Sequence, residues 1–195
     1  MQVLSNKIDT KFKKYIKYFI YFFAINIYSQ TTIKGNISTI VGIPQVGIET
    51  KIGQKLTFQA DVMASLWESV NNAPQKFIIF IPEVRYHFNT LEKGFYIGGH
   101  IGGSSYKMQK WNYINSGKYQ EGYSLLLGAT IGFKVPINNS FSIDLFVGGG
   151  SQQGFYKGYY LETGERYETA DNFNKSGEWL PYRGGVMICY KLGKK

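Results

Sequence analysis

The sequence predicts an all-β chain folded as an eight-stranded antiparallel up-and-down transmembrane β-barrel of the outer-membrane type. Three observations predict it. Apolar residues recur with period two in eight successive segments, each segment can be phased so that one face is free of charge, and the connections alternate between short and longer. The chain's 195 residues suit one barrel domain, and the 23 glycines, 16 tyrosines and 14 phenylalanines suit many short strands joined by turns.

The clearest segment is Leu56 to Trp67. Leu56, Phe58, Ala60, Val62, Ala64 and Leu66 make one face, while Thr57, Gln59, Asp61, Met63, Ser65 and Trp67 make the other. Tyr123 to Val135 repeats the pattern, with Tyr123, Leu125, Leu127, Ala129, Ile131, Phe133 and Val135 in the apolar phase. The remaining strands are expected at Thr32–Val41, Gln45–Ile52, Phe77–Phe88, Gly94–Tyr106, Phe141–Gln152 and Tyr182–Leu192. The strand charges then share the opposite face: Lys34, Glu49, Lys51, Asp61, Glu83, Arg85, Lys134, Asp144, Arg183 and Lys191, with His87 and His100.

Which face is inside separates two architectures. A soluble lipocalin-like barrel turns its apolar face inward; an outer-membrane barrel turns it toward lipid. Here the polar face is rich in Gly, Ser and Thr and carries charges of both signs. Eight strands enclose only enough space for side chains to fill, so small residues and compensating charges belong inside. The bulky face has no Lys or Arg, either of which would cost about 2–4 kcal/mol at a bilayer midplane. Water would impose no such exclusion, and the membrane architecture follows.

The connections fit that topology. Gly53-Gln54, Asn89–Lys93 and Pro136–Ser140 are short, as inner turns are; Glu68–Gln75, Lys107–Gln120 and Gln153–Pro181 are longer outer loops. The first outer connection, Gly42-Ile43-Pro44, is unusually tight. Tyr86, Phe88, Phe95, Phe133, Phe141 and Tyr190 gather in the apolar phase near the inner ends, and Phe80, Tyr123 and Tyr182 lie toward the outer rim, as interfacial girdles do. Pro82 lies mid-strand without a ladder N–H, which predicts a bulge there.

Residues 1–29 read as a signal peptide and 30–195 as the barrel. Lysines between Lys11 and Lys17 precede an apolar run, Tyr18 to Ile27, and small Ser29 stands before the expected cut. That run is too short for a spanning helix but suits an export signal. The formal net charge of +9 is partly located here: five lysines between Lys7 and Lys17 against Asp9 account for +4 and leave +5. No Arg/Lys stripe remains on one face, so nucleic-acid binding is not expected. The single Cys189 excludes an internal disulfide and a cysteine metal site.

The last strand carries a second signal. Arg183, Gly185, Ile188 and Tyr190 resemble the motif read by the bacterial barrel-assembly machinery: a polar residue, a glycine, then a hydrophobic and an aromatic residue. The tail Lys191 to Lys195 departs from it, since such motifs usually end on the aromatic. More specifically, the stretch from Lys34 to about Tyr190 resembles the outer-membrane barrel family catalogued as domain of unknown function 3575. The likeness rests on Lys34-Gly35-Asn36, on Ile43-Pro44-Gln45-Val46-Gly47-Ile48-Glu49 and on Pro82-Glu83-Val84-Arg85-Tyr86. It continues through Gly98-Gly99-His100 and Tyr119-Gln120-Glu121-Gly122. Where members often read Gly-Tyr in the sixth strand, this chain has Gly132-Phe133. The resemblance implies the fold and the outer membrane, and no activity.

Candidate sites fall in two places. Lys34, Glu49, Arg85, Lys134 and Asp144 make a lower layer of interior charge, with Asp61 and Glu83 at one depth and His100 above. Buried charges need partners, so this set reads as a structural network, with a proton or ion path as the alternative. Outer-loop aromatics, notably Trp111, Tyr113, Tyr159, Tyr160 and Trp179, either contact a ligand or partner or pack on one another. His100 with Ser104 lacks an orienting acid and His87 lies at the inner end, so no catalytic triad is expected, with a lipid-modifying outer-membrane enzyme as the weaker alternative. The glycines of Gly98–Gly103 and Gly148–Gly150 lead into no helix or P-loop lysine, and read as strand glycines. No cofactor or metal is expected. The expected partners are outer-membrane lipid, lipopolysaccharide and, during biogenesis, the assembly machinery, with the chain itself a monomer.

Overall fold

The computed structural model describes residues 31–192 apart from positions 111, 112, 115 and 168. The predicted signal peptide lies outside the described residues. The described chain is almost wholly β. Its strands are β1 (Thr31–Asn36), β2 (Gln45–Lys51), β3 (Leu56–Ala64), β4 (Ser69–Val70), β5 (Ala73–His87), β6 (Gly94–Met108), β7 (Lys118–Pro136), β8 (Phe141–Tyr160), β9 (Arg166–Tyr167) and β10 (Asn174–Leu192). One 3-10 turn, Ile37–Val41, follows β1.

Eight strands pair antiparallel in a closed ring, β1-β2-β3-β5-β6-β7-β8-β10, with β10 returning to β1 from Thr31↔Leu192 to Asn36↔Met187. The two-residue strands β4 and β9 sit outside the ring as short outer hairpins on β5 and β8. All eight predicted strands therefore exist and follow one another up and down.

The predicted phases hold along most of the ring. Charged and amide side chains of the polar face point inward and are mostly buried, with Lys51 and Lys191 half-buried at the inner rim, whereas Ile48, Val62, Phe80, Ile97, Leu125, Leu127 and Ile131 point outward and are exposed. The six aromatics expected at the inner girdle lie outward and pair: Phe95 with Phe133 (4.6 Å between ring centroids), Phe141 with Tyr190 (5.0 Å) and Tyr86 with Phe88 (5.3 Å).

Four local expectations are corrected. First, β1 ends at Asn36, not Val41: the Asn36 side chain accepts from Ser38 N–H and starts the 3-10 turn. The first outer connection thus runs through Ile37–Pro44 and is not tight. It closes on Gly42, whose φ of +80° suits glycine and against whose backbone the Trp67 indole packs.

Second, Pro82 makes no bulge. The β3–β5 register runs unbroken through Ala60↔Pro82, and on the other side Phe80↔Gly103 and Glu83↔His100 keep one register. The ring's irregularity lies instead at the other strand proline: Leu180 faces Gly150 but Arg183 faces Gly148, so Pro181 and Tyr182 together oppose Gly149. This bulge has a consequence for the third correction. An extra residue reverses the phase, so Tyr182 faces inward beside Arg183 rather than joining an outer aromatic girdle.

Fourth, β7, β8 and β10 run well past their predicted outer ends, pairing as far as Lys118↔Tyr160 and Asn174↔Tyr156. The outer loops shrink accordingly. Because β1, β2 and β3 stay short while β5, β6, β7, β8 and β10 are long, the ring wall is low on one side and tall on the other.

Space in the inner part of the ring is closely filled. A Cβ on Gly132 would lie 2.3 Å from the Tyr96 ring, whose hydroxyl belongs to the interior network. Gly132→Val should therefore displace Tyr96 and lower stability by about 1–3 kcal/mol. The urea midpoint, followed by the migration of unheated samples on a gel, checks this; an unmoved midpoint contradicts the packing.

Candidate functional site

The inward side chains assemble into one charged network in the inner part of the ring. Its cations are Lys34, Arg85, Lys134 and Arg183, and its anions are Glu49, Asp61, Glu83 and Asp144, so the signs balance; all eight are buried. Strand alternation alone delivers them to one side of the sheet. The register then decides which of them meet.

Glu49 on β2 is one hub. Its carboxylate accepts from Lys134 Nζ at 2.7 and 2.8 Å and from the Thr57 hydroxyl at 2.7 Å, and it is ion-paired with Lys34. Asp144 on β8 is the second, accepting from Lys34 Nζ (2.7 Å), Arg85 Nη1 (2.8 Å) and the Tyr96 hydroxyl (2.7 Å). Arg85 also grips Glu83 through Nε and Nη2 at 3.0 and 2.9 Å, and its guanidinium lies 4.5 Å from the Tyr96 ring centroid. Arg183 forms the next layer, donating to Asp61 (2.7 Å) and Glu83 (3.0 Å).

Two of these pairs span the whole interior. In ring order β7 stands opposite β2, and Lys134–Glu49 joins them; β10 stands opposite β5, and Arg183–Glu83 joins those. Amides add further bonds to the network, although Glu83 Oε1 and Arg183 Nε are buried without a hydrogen-bond partner. Gln59 accepts from Lys34 and donates to Asp61, Gln45 donates to Asp61, and Asn36 donates to Gln45, at 2.7 to 2.8 Å. Such donors matter because a buried carboxylate needs several partners to offset its desolvation.

The predicted lower layer of Lys34, Glu49, Arg85, Lys134 and Asp144 is thus one connected cluster, and Asp61 and Glu83 share a depth through Arg183. His100 sits above it without a direct carboxylate partner: its Nε2 lies 2.7 Å from the Tyr182 hydroxyl and its Nδ1 3.1 Å from Thr130 Oγ1. The uncharged members Asn36, Gln45, Thr57, Gln59 and Tyr96 were not singled out from the sequence. Their signal was available, since each occupies the inward phase beside a charge.

Arg183 and Gly185 of the resembling assembly motif lie on the inward side of β10, while Ile188 and Tyr190 are exposed on the outward side. Arg183 therefore belongs to the interior network as well. The strand continues past Tyr190 to Leu192, and Lys191 pairs with Glu92 of an inner turn.

The aromatic residues expected in outer loops are mostly wall residues. Tyr159 belongs to β8 and stacks on Tyr119 of β7 (5.3 Å), and Tyr160, at the end of β8, packs against Tyr167 (5.5 Å). Tyr113 lies in the β6–β7 loop, and Trp111 is outside the described residues. Trp179 is corrected most: it lies on β10, 82% exposed on the outward face, paired with Ser151 and through it level with Leu127. It is part of the outward apolar surface rather than a loop. Among the described residues, no three His, Cys, Asp or Glu side chains are grouped to hold a metal ion.

Fold and site together define an all-β protein in which eight strands close around a charge-balanced, cross-braced interior. The chain belongs to the family described as protein of unknown function (DUF3575), whose profile matches residues 15–192. No curated protein matches the chain, and no solved structure does.

Removing Arg85 would leave Glu83 and Asp144 buried with fewer counter-charges. Arg85→Ala should cost about 3–5 kcal/mol of stability, the usual penalty for breaking a buried pair from one side. Denaturant titration of the variant beside the wild type measures it, and an unchanged midpoint would remove Arg85 from the network.

Proposed function

We propose that the protein is an integral outer-membrane β-barrel, non-enzymatic, with a side-chain-plugged lumen, acting through contacts at its outer end. The observation that carries this reading is the sorting of charge between the two sides of one closed sheet. Inward charges are neutralised in pairs, two of them from wall to opposite wall. Outward charges of the ring are Lys76, Lys107, Glu121, Lys157 and Lys175, all near the outer strand ends, and the first four are successive register neighbours.

Below that row, the outward face of β6 from Phe95 to Ser105 carries no charge, a length matching the roughly 9–11 residues with which a tilted strand crosses a bilayer. Paired aromatics border the band at its inner edge, where an interface girdle belongs. The row itself would meet headgroups. There Lys107 lies 3.3 Å from Glu121, whose carboxylate raises the pKa of the lysine above its usual value.

Two features favour a plugged, inert interior over a conduit or an enzyme. Ion pairs fill the cross-section that ions would have to pass. His100 engages Tyr182 and Thr130 rather than Ser104, whose hydroxyl donates to Ser124 at 3.2 Å, so no nucleophile–base pair forms around it.

The location is tested by fractionating cells and comparing heated with unheated samples on a gel. The protein should sediment with outer membranes and migrate faster before boiling; a soluble, heat-indifferent band overturns the reading. In planar bilayers the purified wild type should give no stable channels. Sustained steps of conductance would replace the plugged barrel by a narrow pore.

A further inference from the structure

The charge network occupies the inner part of the ring and stops below the outer end. Above it lies a cavity of about 610 Å³, within the range of small-molecule sites. Its floor is polar and satisfied: Gln152 donates to the Ser124 hydroxyl at 2.8 Å. Its walls are mainly apolar, with Phe77 and Met108 from the tall strands, Leu180 from above the bulge, and Ile43 and Trp67 from the low side. The bulge builds one wall, because the reversed phase turns Glu178, Leu180 and Tyr182 inward on β10.

One ion pair stands in that wall. Lys110 and Glu178 lie 3.0 Å apart, with side-chain exposures of 11% and 31%. Together they are neutral. A charged ligand would set one of them against a like charge, whereas a neutral ligand leaves the pair intact and meets both a donor and an acceptor.

The approach to the cavity is also apolar. Beside its low wall, Ile37, Ile40, Val41 and Leu66 are exposed at 46%, 88%, 57% and 68%. A groove on the outward face shares Ser65, Trp67 and Phe77 with the cavity, so these residues stand between the cup and the outward surface.

We propose that the outer end of the ring is a binding cup for a neutral, predominantly apolar small molecule with one hydrogen-bonding end, admitted over the low wall of β1 to β3. The cup deepens the outer-end reading above and rests on it only for the direction from which the ligand comes.

The test uses the purified full-length protein folded in amphipol, with folding verified by heat-dependent gel migration. The neutral apolar dye N-phenyl-1-naphthylamine is titrated against it, and anionic 8-anilinonaphthalene-1-sulfonate in parallel. The neutral dye should show saturable fluorescence enhancement above that of protein-free amphipol, and bind more tightly than the anionic one. Leu161→Trp and Val70→Trp, two substitutions that fill the cup from its rim, should each weaken the neutral dye by about tenfold or more while the protein stays folded. Enhancement equal to protein-free amphipol, equal affinity in both folded variants, or tighter binding of the anionic dye overturns the proposal. Because the titration is made on purified protein, its result stands apart from the fractionation result. A soluble protein that binds the dye refutes only the location, and a membrane barrel that does not bind it refutes only the cup.

Discussion

A ring of eight strands leaves an interior too wide for backbone contact and too narrow for bulk water, so its side chains must complete one another. In this chain the completion is electrostatic. Lys134–Glu49 and Arg183–Glu83 reach between opposite strands, and Arg85 and Lys34 converge on Asp144 between them. Each long cationic side chain spans distance that apolar residues of similar length would span without directional demand. The hydrogen bonds fix which strands face which, and thereby the order of the ring. The stabilisation is not simply additive, since every charge incurs desolvation; what matters is that no carboxylate is left without a cation.

The alternation of the strands was readable from sequence because one face is charge-free and a one-residue slip would reverse it. That constraint acts on every residue of Leu56–Ala64 and of Tyr123–Val135 alike, so it survives local noise. Membership of the interior layer was legible for the same reason. Pairing was not, because it depends on the stagger between strands: Glu49 stands beside Gln59 in register yet draws one of its two lysines, Lys134, from the far wall.

Where the reading failed, the period-two signal had changed phase or faded. Proline marked both a regular position, Pro82, and a bulge, Pro181; the sequence alone gives each the same missing donor. The difference lies in the partners, since the bulge opposes Gly149, where a Cβ would approach the Leu180 carbonyl oxygen to 2.3 Å. The outer parts of β7, β8 and β10 escaped notice because tyrosine and glutamine occur on both faces there, as befits wall that stands clear of an apolar band. Trp179 was misplaced by the same fading, combined with the phase reversal at the bulge.

The bulge and the unequal strand lengths turn a closed ring into an asymmetric vessel. Below, the interior is committed to holding the wall together, and a substitution that freed a group there for chemistry would strip a buried charge of its partner. Above, β6, β7 and β8 have no opposite strand to brace against, because β1, β2 and β3 have already ended, and only β5 and β10 still face each other. Side chains there are released from the demand for paired charge, and Phe77, Met108 and Leu180 can face an open space. Stability and recognition are thus divided along the axis: the network fixes the inner end so that the outer end is free to be shaped for a ligand.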